Sequence, residues 1–154
     1  MFLTLLCLLV FPPMLFGQGN FIQKDNYYWY EKGCDTIYQQ QPMNVCLIEA
    51  EKQLSKLVQQ KYDCIISYLN VQIASKTDKE EVKYLKRERE SVAQSQKTWE
   101  KLEGENEAYY VGGGGTMTPM EEALSLIDDD KDRLRRLDDI IEDLGQGNDG
   151  LKCN

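Results

Sequence analysis

"MNVCLIEAEKQLSKLVQQKYDCIISYL", residues 43–69, sets the period for the whole chain. Leu47, Ala50, Leu54, Leu57, Tyr62, Ile65 and Leu69 recur mostly at steps of three and four. That spacing places them on one face of an α-helix. Glu49, Lys52, Gln53, Lys56 and Gln60 fill the other face. The pattern predicts a helix from about Met43 to about Ala74. At about 1.5 Å per residue it forms a rod approaching ~50 Å. Such a rod draws its stability from packing its apolar stripe, not from propensity alone.

Two further helical segments supply that packing. In "TDKE", residues 77–80, Thr77 and Glu80 have the spacing of a capping box. Behind it Val82, Leu85, Val92, Trp99 and Leu102 share a face, with Arg89 and Gln96 on the same seam. Trp99 follows Leu85 and Val92 at seven-residue steps, which predicts a core anchor and not a ligand platform. Gln96 is expected at the edge of the core, bonded to neighbouring backbone. "KRERE", residues 86–90, reads as a solvated face, and the pattern fades near Gly104.

"TPME", residues 118–121, marks the third start, with Thr118 as cap, Pro119 at the first helical position and Glu121 completing the box. Met120, Leu124, Ile127, Leu134, Leu137, Ile141 and Leu144 form its stripe, and Gly145 ends it. No segment shows strand alternation. The expected fold is all-α: three long helices, antiparallel across short connections, behind an irregular, disulfide-stapled N-terminal segment. Residues 20–42 are expected to be loop with one short turn, and the tail after Gly145 to be loose apart from Cys153.

The first sixteen residues, "MFLTLLCLLVFPPMLF", carry no charged side chain, and small residues follow at Gly17 and Gly19. This reads as a signal peptide over residues 1–19, followed by a helical domain over 20–154. Its one departure is the lack of any Lys or Arg before Lys24. The expected location is periplasmic or secreted, with no stable membrane span after cleavage. Four cysteines then remain, Cys34, Cys46, Cys64 and Cys153, an even set that suits an oxidising compartment. They allow three pairings, of which local spacing favours Cys34 with Cys46.

Composition narrows the function. With 18 basic and 26 acidic residues the formal charge is −8. That disfavours nucleic acid and favours a cationic protein partner. The chain has no His and no CxxC pair, so neither a zinc site nor His-assisted nucleophilic catalysis is expected. "DDDKD", residues 128–132, lacks the glycine and spaced ligands of a calcium loop. No cofactor and no metal site is expected. Carboxylate pairs carry no signal among so many acids, so no enzyme is expected.

"AYYVGGGGTMT", residues 108–118, has glycines but no P-loop lysine, and no strand precedes it. The glycines read as a flexible connection that lets the third helix fold back. Tyr109 and Tyr110 beside them are candidate partner contacts, because tyrosine buries much area for little side-chain entropy. The competing reading makes them a cap on the end of the bundle.

These residues form an ordered series: Cys34-x11-Cys46 with "MNVC" at 43–46, "SQKTW" at 95–99, and Gly114-Gly115-Thr116 before the last helix. The series resembles the LprI-type lysozyme inhibitor family, small exported bacterial proteins, over residues 34–137. The resemblance carries Asn44, Gln96, Trp99, Gly114 and Gly115 as structural motif positions. It implies a lysozyme inhibitor acting by direct protein contact; the alternative is a structural or adaptor module of the cell envelope. Two cysteines usual in the family, near "EGENE" and near Leu124, are absent, which leaves the glycine loop without their staple. Cys64 and Cys153 are additional and are candidates for a second pair.

Overall fold

The computed structural model describes residues 33–111, 115, 117–145 and 151–153. The expected signal peptide, its cleavage point and Gly114 lie outside the described residues. A 3-10 turn at Cys34–Thr36 leads into three helices: α1 at Gln40–Ser75, α2 at Lys79–Val111 and α3 at Thr118–Gly145. No strand occurs among the described residues. The all-α architecture is the one that the periodicity predicts.

Pairs of neighbouring residues give the helix directions. Asn70 and Arg89, then Glu51 and Glu103, pair α1 with α2 in opposite senses. Gln96 with Arg133 and Asn106 with Asp129 do the same for α2 and α3. Gln40 with Met117 and Lys61 with Asp138 advance together along α1 and α3, which therefore run parallel. The bundle is up, down, up.

The helix starts differ from expectation in detail. Asp78, not Thr77, caps α2: its Oδ1 accepts the backbone N–H of Glu80 and of Glu81, each at 2.9 Å. Asp is as good a cap as Thr and adds a favourable charge at the helix N-terminus. At α3 the Thr118 hydroxyl accepts the Gly115 N–H at 3.2 Å, and the Glu121 N–H goes to the Met117 carbonyl. The hydroxyl thus faces back into the connection. Helix α2 also runs through Gly104 to Val111, because packing against two neighbours overrides the small propensity cost of one glycine.

Leu47, Leu54, Val58, Ile65 and Leu69 of α1 pack with Ile127, Leu134 and Leu137 of α3 to form the centre of the core. Val58, wholly buried, was absent from the expected stripe, which passed from Leu57 to Tyr62. Among the described residues helix α2 contributes only Val92 and Gln96 as buried residues. Two positions expected inside face outward: Leu102 is 50% exposed and Leu124 38%. At α3 the smaller Ala123 takes the inward place beside Leu124.

Two disulfides pin the bundle. Cys34–Cys46 fastens the 3-10 turn to the first turns of α1, and Cys64–Cys153 fastens the tail to the middle of α1. Both are the pairs that the spacing and the surplus cysteines pointed to. Leu151 follows its neighbour Cys153 inward and packs against the core. Cys34 itself is buried in the core, while Gly33 and Thr36 of the same turn are exposed.

Candidate functional site

The end of the bundle where α1 begins, α2 ends and α3 begins gathers most of the unusual chemistry. One carboxylate from each helix converges there. Glu51 of α1, Glu103 of α2 and Asp130 of α3 each bring an oxygen within 4.8 Å of the others. Asp130 has no exposed surface, and neither of its carboxylate oxygens has a hydrogen-bond partner.

Burial is the largest force on all three. It pushes Asp130 up to about 8, helped by the charges of Glu103, Glu51 and Asp129. It pushes Glu103 up to about 7, helped by Glu51, Asp129, Glu107 and Glu100. Glu51 is raised as well; Lys52 opposes the shift, while Glu107 and Glu122 add to it. A cavity of about 390 Å³ opens beside the triad, lined in part by Glu51, Glu100, Glu103, Glu107 and Glu122.

One layer along, Arg133 of α3 lies buried against α2. Its Nε and Nη2 donate to Gln96 Oε1 at 3.0 and 2.9 Å, and its Nη1 donates to Ser95 Oγ at 2.8 Å. Gln96 Nε2 then donates to Glu100 Oε1 at 3.2 Å. Burial and the charge of Arg136 lower the affinity of Arg133 for its proton, against Glu100 and Tyr62. A guanidinium still keeps its charge in this setting. The polar seam expected at Gln96 is therefore real, but its partner is a side chain of α3 and not neighbouring backbone. A second cavity, of about 310 Å³, lies between Trp99, Thr98, Arg133 and Arg136.

The predicted site residues divide into groups. Asn44 is half-buried in the first turns of α1, with its Oδ1 buried and unpartnered. Trp99 is half-buried, packs against the core and keeps its indole N–H buried and unpartnered. Gly115 donates its N–H to Thr118 and stays exposed; a Cβ there would meet Thr118 Oγ1 at 3.3 Å. Tyr109 is 78% exposed, Tyr110 is half-buried, and the two rings meet edge to face with centroids 5.3 Å apart. Tyr38, Val45 and Met117 are further exposed large apolar side chains at this end.

Glu51, Glu103, Asp130 and Arg133 escaped the sequence reading, yet a signal was present. Asp130 falls three residues after Ile127 and four before Leu134, on the inner stripe. Glu51 falls four after Leu47 and three before Leu54; Glu103 falls four after Trp99. Each is a charge at a position where the period calls for an apolar side chain.

The family model described as "Lysozyme inhibitor LprI" matches residues 32–137, most of the chain. No curated protein and no solved structure matches it. Among the described residues no helix is long and apolar enough to cross a membrane.

Proposed function

The chain belongs to the lysozyme inhibitor LprI family, and from that premise we propose that it is an exported protein that inhibits lysozyme by direct contact. The match over residues 32–137 carries the reading, since it includes the Cys34–Cys46 staple, all of α1 and α2, and α3 as far as Leu137.

The physical features of the α1-start end suit such a partner. Lysozymes are commonly basic, and this chain carries a formal charge of −8. Glu107 and Glu122 on the cavity wall add to the negative field at that end. Opposite charge speeds encounter and fades with salt. Tyr109, Val45 and Met117, exposed nearby, supply apolar contact area once the partners meet. Inhibition by occlusion needs no catalytic group, and the reading assigns none.

The test is lysozyme activity on cell-wall substrate with and without the purified protein, at low and at moderate salt. Inhibition that saturates at one inhibitor per lysozyme, with a slower onset at higher salt, supports the reading. No inhibition of any basic lysozyme at micromolar protein favours the adaptor alternative.

A further inference from the structure

We propose that Glu51, Glu103 and Asp130 form an interhelical binding site for a hard divalent cation of the calcium type.

Three observations carry the site. The first is geometric: one carboxylate from each helix converges, with oxygens within 4.8 Å of one another. Calcium bound at about 2.3–2.6 Å from each oxygen spans oxygen–oxygen separations up to about 5 Å, whereas magnesium at about 2.0–2.1 Å demands a tighter, near-octahedral set. The donors are all oxygen, which selects calcium, magnesium or manganese over zinc or copper.

The second observation is Asp130 itself. Its side chain has no exposed surface and both oxygens lack partners. A carboxylate placed so is costly to bury unless something compensates it. The charges that act on it come from Glu103, Glu51 and Asp129, all of its own sign. Two buried cations, Lys131 and Arg133, stand near it in the chain; Arg133 is engaged by Gln96 and Ser95, and neither is among the charges that act on Asp130. A bound cation would supply that compensation, in place of the proton that burial otherwise favours on Asp130.

The third is access. The cavity of about 390 Å³ is lined by Glu51 and Glu103 and is open to solvent, so an ion can enter and bring the waters that complete its coordination. Each ligand comes from a different helix, so binding fastens α1, α2 and α3 at one level. The "DDDKD" run thus contributes one ligand to a site between helices, not the loop site that its composition calls to mind.

Thermal melts of the full chain test this, in EDTA, in millimolar calcium chloride, in magnesium chloride, and in sodium chloride of matched ionic strength. The sodium arm matters because screening alone stabilises an acidic protein. Calcium is expected to raise Tm by about 3–6 °C over the sodium arm, with magnesium giving less. Asp130→Asn should abolish the calcium increment while melting no lower than the wild type in EDTA, since the neutral amide keeps the shape of the carboxyl and removes what charge it carries when no metal is bound. Glu122→Gln, on the cavity wall but outside the triad, should keep the increment. Calcium titration calorimetry on the wild type gives a reading that needs no variant: one saturable site is expected. A calcium increment equal to the sodium arm, an increment that survives in Asp130→Asn, or calorimetry showing only diffuse, non-saturating uptake would overturn the site.

Discussion

Two nitrogens of Arg133 share one acceptor, Gln96 Oε1, at 3.0 and 2.9 Å, and both residues are buried. This fork joins α2 to α3 at a level where α2 offers few apolar contacts. Charge-assisted bonds of this kind are stronger than neutral ones, and the fork geometry fixes the register of the two helices. Gln96 stands in the "SQKTW" motif, so the motif's glutamine has a definable task in this chain: it holds a buried guanidinium.

Gln96→Ala should therefore cost about 2–4 kcal/mol, because it strands two donors of a buried cation. Combining it with Arg133→Met removes both partners together. The double variant should lose less than the sum of the single variants, with a coupling of about 1–3 kcal/mol. Urea denaturation of the four proteins measures this; strict additivity would show that the fork contributes nothing.

Trp99 packs against the core from a half-buried position, with its indole N–H unpartnered. Trp99→Ala should cost about 3 kcal/mol, the low end for a large aromatic, as part of the ring remains in contact with solvent. Trp99→Phe keeps most of the apolar contact and removes the unpartnered donor. It should cost clearly less than the alanine variant in the same denaturation assay. A loss for Phe as large as that for Ala would mean that the indole N–H, which both variants lack, and not the apolar contact carries the stability.

The two disulfides should differ in effect. Cys34–Cys46 spans 12 residues and Cys64–Cys153 spans 89. In the loop-entropy model the first contributes about 3 kcal/mol and the second about 4.5 kcal/mol. Paired Cys→Ala replacements, compared by chemical denaturation, should rank in that order. The reverse ranking would show that the buried contacts around Cys34 matter more than the length of chain that each bridge closes.

Much of this fold was legible from the apolar period, and the reason is length. Over some thirty residues per helix, a wrong or missing position such as Val58 or Leu124 does not alter the period. The caps were less legible, since Thr77 and Asp78 are both competent and only the local backbone chooses between them. The carboxylate triad was hidden for a different reason. Its members stand 52 and 27 positions apart in the chain, and only the up-down-up packing brings them to one level. The visible trace was an acid on each inner stripe, which single-helix reasoning passes over as a break in the pattern. Arg133 was concealed likewise in "DDDKDRLRR", where charges three and four apart suggest an exposed face and only one of the arginines points inward.

The last prediction separates two tyrosines that the sequence treated as one. Tyr109 is 78% exposed, while Tyr110 is half-buried, so the pair does not share one role. Replacing both would confuse folding with binding. Replacing Tyr109 alone removes an exposed ring and its edge contact with Tyr110, a change expected to alter stability by about 0.5 kcal/mol or less. If Tyr109 is a contact residue for lysozyme, Tyr109→Ala should weaken inhibition by about tenfold or more, the loss usual for a tyrosine at the centre of an interface. The melting temperature should stay within about 2 °C of the wild type. Tyr110→Ala should behave in the opposite way, with a lower melting temperature and inhibition reduced only as far as the folded fraction falls. Thermal melts and lysozyme inhibition on the same preparations report both quantities. A stable Tyr109→Ala variant that inhibits as well as the wild type would remove Tyr109 from the contact surface and leave the exposed Val45 and Met117 as the apolar groups to test at that end.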